Sequence, residues 1–426
     1  MEEAVIPDSI DLERRAAARP SAPSSPAPRV ERRTDLDWLR ISAFGLLILF
    51  HVGMFYVPAQ WELKSRHLLP WLEVVLEWSS PWRLLVLFAV SGAATSFMLR
   101  RLKPGQLFAS RTAYLLPPLV FASLVVNAPQ VYLEVVQQYG FVGSFGHFLS
   151  YYYTGGFCHD GHCHQMPHWE HMWFVAYLWI YTSVLAVLLA LRPDLPAAID
   201  RLGRRLLEGA GLLVLPAVGL ALARIGLGHF FPETHGLVDD WYLHATFFAL
   251  FLFGFVFLGN PRIMRGFERL SWLALAIGMA AYASRSAYVW HYRNGGTIPI
   301  ALKVAMAFVY GFDQWAWLVA AFGFASRWLS HRDGPARRYL TEAVFPFYII
   351  HQTAIVVVAW EISKLRLPIG LEAAVIILGC VLSCLATYEL ARRVEWLRPW
   401  LGLKPTRSEA PRSASGVPTR TTPSWP

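Results

Sequence analysis

Apolar residues along this chain gather into long runs separated by short polar clusters. Many runs approach the roughly 20 residues that an α-helix needs to cross a hydrocarbon core about 30 Å thick. The pattern predicts ten such helices, near 36–57, 82–99, 112–126, 169–191, 207–227, 241–258, 270–290, 298–326, 340–360 and 370–391. Strand-like alternation is absent, and only helices and closed barrels satisfy the backbone in lipid, so the expected fold is all-α and polytopic. The eighth segment is the least regular. It contains Lys303 and Asp313, and its "VYGFDQW" can break it into two pieces.

The polar clusters give an orientation. With the N-terminus counted as inside, the inner segments hold 28 Lys and Arg and the outer loops hold 6. The positive-inside rule then predicts that both termini are cytoplasmic. Composition agrees with a membrane chain: 55% of residues are hydrophobic and 16% charged, against about 25% charged in ordinary soluble domains. The net charge of +9 therefore reads as a topology signal and an attraction to anionic lipid, and no nucleic-acid partner is expected. Residues 1–33 and 401–426 are polar and lack apolar periodicity, so they are expected to be disordered cytoplasmic tails around a membrane domain at 34–400. No apolar h-region precedes Asp35, and no cleavable signal peptide is expected.

Ionisable residues inside apolar runs are costly, which makes each a functional candidate. The first run, "DLDWLRISAFGLLILFHVGMFYV", carries Arg40 and His51. Ten residues lie between them. That is close to three whole turns, so both share one helix face about 16 Å apart along the axis. Arg40 falls at the inner end, where basic anchors are routine, and His51 near mid-membrane, where a neutral imidazole can accept a proton. His351, thirteen residues after Arg338, is expected at a similar depth with Tyr348 one turn away. Hydrogen bonding between helices is the simpler alternative for both histidines.

Two other clusters stand out. "GGFCHDGHCHQMPHWEHMW" in the outer loop sets Cys158 and Cys163 among histidines, compatible with a disulfide, with a bound metal or with neither; no catalytic metal is expected. Cys380 and Cys384 read as packing residues. Tyr151 to Tyr153, Trp169, Trp241 and Tyr242, beside Glu170, Asp239 and Asp240, are the aromatic and acidic groups that suit a polyol or sugar. Arg83, at the outer start of the second span, is either a site for a carboxylate or phosphate or a snorkelling anchor.

The arginine and histidine separated by ten residues resemble the signature of the type-3 membrane acyltransferase family. "LLVLFAVSGAATSFML", with Phe88, Ser91 and Gly92, is similar to that family's Phe-x-x-Ser-Gly segment. "FASRTAYLLPPL", "HMWFVAYLWIY" with Trp173 and Phe174, "FFALFLFGFVF" and "FPFYIIHQTAIV" with Tyr348 and His351 resemble further segments in the same order, over about residues 33–400. One departure is that Arg111 is followed three positions on by Tyr114 where a second arginine is common.

The resemblance implies an O-acyltransferase in the cytoplasmic (inner) cell membrane. It would move an acetyl or succinyl group from cytoplasmic acyl-CoA to a hydroxyl of an envelope glycan or another acceptor. "SSPWRLLVLFAVSG" looks most like the branch that modifies periplasmic glucans. His51, Arg40 and His351 are then the catalytic candidates, with His51 as base or acyl carrier. Arg100, Arg101 and Arg111 are candidates for the donor's phosphates, and Arg83, Trp173, Asp239, Asp240 and Tyr348 for substrate. The rival from another class is a proton-coupled transporter with His51 and His351 as relay groups; internal repeats of the kind such transporters carry are not visible. A non-catalytic scaffold would leave the Arg40 and His51 pair without a purpose.

Overall fold

The computed structural model describes residues 33–159 and 162–405. The first long helix, α1 (Thr34–Met54), ends earlier than its apolar run, which puts His51 in its last turn instead of at its middle. A loop, a short helix α2 (Pro70–Leu76) and α3 (Ser80–Leu99) follow. Then come α4 (Pro104–Phe121), continued by a π-turn at Ala122–Val126, and two short helices, α5 (Ala128–Gln138) and α6 (Phe145–Thr154). An antiparallel hairpin of β1 (Gly156–His159) and β2 (His162–Gln165) leads into α7 (Trp173–Leu191). The rest is helical: α8 (Leu195–Leu206), α9 (Ala210–Gly226), α10 (Trp241–Phe257), α11 (Pro261–Tyr292), α12 (Ile300–Leu329), α13 (Pro335–Ser363) and α14 (Ile369–Arg393).

The chain is thus a polytopic α-helical membrane protein, but the span count differs from ten. Seven helical segments are individually long and apolar enough to cross a membrane, and nine if the pairs α8 with α9 and α10 with α11, each bent by 115°, count as one span apiece. Helices α9 and α10 have 17 residues each, so apolar runs that look sufficient in the sequence form short helices set at sharp turns. The suspected break in the eighth segment is not there. Helix α12 is continuous because Asp313 is fully buried against Arg285 of α11 at 2.9 Å, so the charge is paired instead of hydrated. Arg285 itself lies within α11, as the predicted span at 270–290 expects.

Two contacts fix the frame around the site. Helices α3 and α10 touch backbone to backbone: a Cβ on Gly92 would lie 1.9 Å from the Phe251 carbonyl oxygen, and one on Gly254 would lie 1.9 Å from that of Ala89. Small residues allow this approach where apolar burial gives no drive between helices in lipid. Helices α1 and α13 run in the same direction and in step. Asp37 pairs with Arg337, Arg40 donates to the Thr341 carbonyl at 2.7 Å, Phe44 packs on Phe347, and His51 meets His351. The start of α1 also bonds the end of α12, since the Thr34 hydroxyl donates to the Leu329 carbonyl at 3.0 Å.

At the C-terminal end Arg398 holds the Lys404 carbonyl at 2.7 Å, and Leu401 and Leu403 are buried, so packed chain continues past residue 400. Most of the two tail segments, 1–32 and 406–426, lies outside the described residues. Cys158 and Cys163 form a disulfide across the hairpin, which takes both sulfurs out of metal ligation. Cys380 and Cys384 are buried against carbonyls of α13.

Candidate functional site

A cavity of about 470 Å³ opens at the end of the bundle away from Thr34 and is lined by His51, Arg83, His171, Trp173 and Tyr348, among others. His51 and His171 form part of its base, and His351 from a third element lies behind them. His51 Nδ1 lies 3.2 Å from His351 Nε2, and the two rings stack at 5.1 Å. The His171 ring, from the short turn Glu170–Met172 before α7, stands edge-on to His351 at 5.1 Å. His351 is wholly buried behind His51 and does not itself line the cavity.

The hydrogen bonds assign the protons. His351 Nδ1 faces the Tyr348 carbonyl at 2.7 Å, and a carbonyl only accepts, so Nδ1 carries the hydrogen. In a neutral ring Nε2 is then a bare acceptor, and the hydrogen of the His51–His351 bond sits on His51 Nδ1. That leaves the lone pair of His51 on Nε2. The same reasoning applies to His171. Its Nε2 faces the Tyr348 and Ile349 carbonyls at 3.1 and 3.2 Å, which leaves Nδ1, buried and without a partner, as an acceptor. Tyr348 closes the arrangement by donating its hydroxyl to the His171 carbonyl.

Arg83 is the cation of this wall. It is only 3% exposed, its Nη1 donates to Ser79 at 3.0 Å, and it packs over the Phe50 ring at 4.3 Å. Its Nε is buried without a partner, and among the described residues no carboxylate lies within 4 Å. A guanidinium held this way is available to a negative group in the cavity.

Carboxyl groups surround the mouth: Glu62, Glu134, Glu170 and Glu233 all line it. The loop after α1 presents Trp61 and Glu62 because α5 grips it. Gln138 Nε2 donates to the Trp61 and Glu62 carbonyls at 2.8 and 2.7 Å, and the Lys64 N–H donates to Gln137 at 2.7 Å. Gln352 of α13 donates to Glu62 Oε1 at 2.8 Å. Burial raises the Glu62 carboxyl well above its usual range, with Glu170 and Glu134 adding to the effect. Burial also pushes Glu134 up to about 7. His168 moves upward because it is hydrogen-bonded to Glu170, its partner at 3.5 Å. Aromatic walls complete the mouth. Trp173 stacks on His235 at 4.3 Å, and Tyr242 and Tyr310 line the cavity too.

The other expected site residues lie elsewhere. Asp240 is fully buried behind the wall, accepting from the Tyr177 hydroxyl at 2.8 Å and from the His235 N–H at 3.0 Å, and neither it nor Asp239 lines the cavity. Arg40 sits three turns from His51, bound to Thr341, with its Nε buried and unpartnered. Arg111 donates to Thr95 at 2.9 Å and its Nε is likewise unpartnered; Arg40 and Arg111 are electrostatic neighbours with Tyr114 beside both. Arg100 and Arg101 are exposed at the end of α3. His171, Glu62 and Glu134 were missed in the sequence. His171 was one of several histidines in a loop, and nothing in the loop or in α5 marked the two glutamates.

Compared with known protein families, residues 33–389 match the model described as an acyltransferase domain, acyltransferase 3. None of the curated proteins and none of the solved structures gives a significant match.

Proposed function

The chain belongs to the acyltransferase 3 family, and from that premise we propose that it moves an acetyl or succinyl group from cytoplasmic acyl-CoA to a hydroxyl of an envelope glycan, at the cavity headed by His51. The observation that carries this reading is the His51–His351 bond at the base of an aromatic- and carboxyl-lined cavity. It supports a base with its lone pair free and its other nitrogen held.

In the proposed reaction, an acceptor hydroxyl gives its proton to His51 Nε2 while its oxygen bonds to the thioester carbon. The carbonyl oxygen takes up the negative charge, which Arg83 stabilises. When the C–S bond breaks, the thiolate leaves with the electron pair and receives the proton from His51. His351 accepts the His51 Nδ1 hydrogen throughout and steadies the imidazolium, a positioning role. Trp61, Trp173 and the mouth carboxyls suit a sugar, which offers flat C–H faces to rings and hydroxyls to carboxyl groups.

With both termini cytoplasmic, the cavity faces outward, and the donor approaches from the end that carries Arg40, Arg111, Arg100 and Arg101. Arg40 is then a donor-side group and a pin for the α1–α13 register, about 16 Å from the base.

The test uses membranes containing the protein, supplied with labelled acetyl-CoA or succinyl-CoA and the host's envelope glycans. Transfer by the wild type, lost in an equally abundant His51→Ala protein, is the expected result. Transfer indifferent to His51 would refute the assignment.

A further inference from the structure

A second cavity, of about 490 Å³, lies at the end of the bundle opposite the histidines, between the start of α11 and the sharp turn from α8 to α9. Its floor is apolar, made by Leu207, Leu212, Ile263 and Leu270. Its rim carries Arg262, Arg265 and Arg269, which fall three and four positions apart and therefore share one face of α11. Arg204 and Asn260 complete the rim, with Glu208 as the one carboxylate in the lining.

Three of the four rim arginines have no ion-pair partner among the described residues. Arg204 pairs with Asp200, but Arg262, Arg265 and Arg269 have no carboxylate within 4 Å among the described residues. Two glycines shape the wall of the cavity. Gly209, at φ 55°, makes the turn, in a conformation that side chains other than glycine's rarely adopt. On the facing helix, a Cβ on Gly266 would press on the Leu212 side chain at 2.6 Å. Beside the cavity, α8 combines Arg201, Arg204 and Arg205 with the exposed Leu202 and Leu206. Trp272 and Leu273 of α11 are exposed too. A basic amphipathic helix joined to its neighbour by a 115° bend is the form of a helix lying in the membrane interface.

We propose that this cavity binds an anionic phospholipid, its phosphate on Arg262, Arg265 and Arg269 and its glyceryl and upper acyl region on the leucine and isoleucine floor. A basic pocket between membrane helices on the positively charged side has the chemistry for such headgroups. The phosphates of a nucleotide share that chemistry, and Arg100 Nη2 reaches within 4.0 Å of where a Cβ on Gly259 would stand, next to Asn260. The floor and the exposed leucines favour a ligand with chains.

The experiment takes delipidated protein in neutral detergent and counts bound phosphatidylglycerol or phosphatidylcholine by native mass spectrometry. It compares wild type with an Arg262→Gln, Arg265→Gln, Arg269→Gln variant whose melting is checked in parallel. We expect retained phosphatidylglycerol on the wild type, weakened about a hundredfold in the variant by the loss of three surface arginines, and no retention of phosphatidylcholine. Should the triple variant not fold, Arg265→Gln alone is read the same way, with a loss of about fivefold expected. Equal phosphatidylglycerol binding by wild type and variant overturns the proposal. So does displacement of the lipid by coenzyme A or inorganic phosphate at millimolar concentration, which would make the site one for soluble phosphates.

Discussion

With His351 Nδ1 committed to the Tyr348 carbonyl and both rings neutral, the proton pattern of the pair follows, and it gives a graded expectation. His351→Gln keeps an acceptor for His51 Nδ1–H, so transfer should fall modestly, about tenfold. His351→Leu removes the acceptor and should cost about 10²–10⁴, the range for general base catalysis. Initial rates at saturating donor distinguish the two, and equal losses would remove the positioning role. Glu134 offers a pH test. Its carboxyl is raised to about 7 in the folded chain, against about 4.3 when unfolded. The folded state then binds more protons between those values, so stability falls as pH rises through that window. Melting temperature should drop between pH 5 and pH 8 in the wild type and drop less in Glu134→Gln. The same residues show what was legible. Arg40, His51 and His351 stood out because each breaks an apolar run. His171, Glu62, Glu134 and Glu233 did not, because polar residues outside apolar runs carry no such contrast, and only folding brings them to one cavity.

At the scale of elements, the segment with Phe88, Ser91 and Gly92 and the one with Gly254 acquire a common cause: each glycine admits the other helix's backbone. Gly254→Ala should therefore destabilise the fold by about 3 kcal/mol, the upper end for overpacking, because a backbone carbonyl cannot swing away as a side chain can. Thermal unfolding of the purified protein measures it, and an unchanged midpoint would contradict the close approach. Register between α1 and α13 is the other element-scale feature. Arg40→Lys keeps the charge but cannot reproduce the guanidinium geometry, so it should lower transfer without abolishing it. The helical segments were legible from their apolar runs. Their ends were not: α12 reads as broken at Asp313 until Arg285, 28 residues earlier, is seen to neutralise it.

At the scale of the whole molecule, the histidine cavity and the donor-side arginines Arg40 and Arg111 lie at opposite ends of the helices that carry them, an arrangement that suits a donor and an acceptor on different sides of a membrane. Cysteines introduced at Lys404 and at Thr154 should react with an impermeant thiol reagent from opposite sides of sealed vesicles. Reaction of both from one side would contradict the orientation. The bundle's class was legible in the sequence because lipid imposes it. The number of spans was not, because sharp bends of 115° interrupt two of the apolar stretches and leave α8, α9 and α10 at 17 residues or fewer. The most direct measurement of the central claim is acyl transfer in sealed vesicles, with acyl-CoA supplied to the side bearing the termini and acceptor glycan to the other. The account predicts labelled glycan with the wild type and none with His51→Ala at equal abundance; glycan labelled at the same rate by both would contradict it.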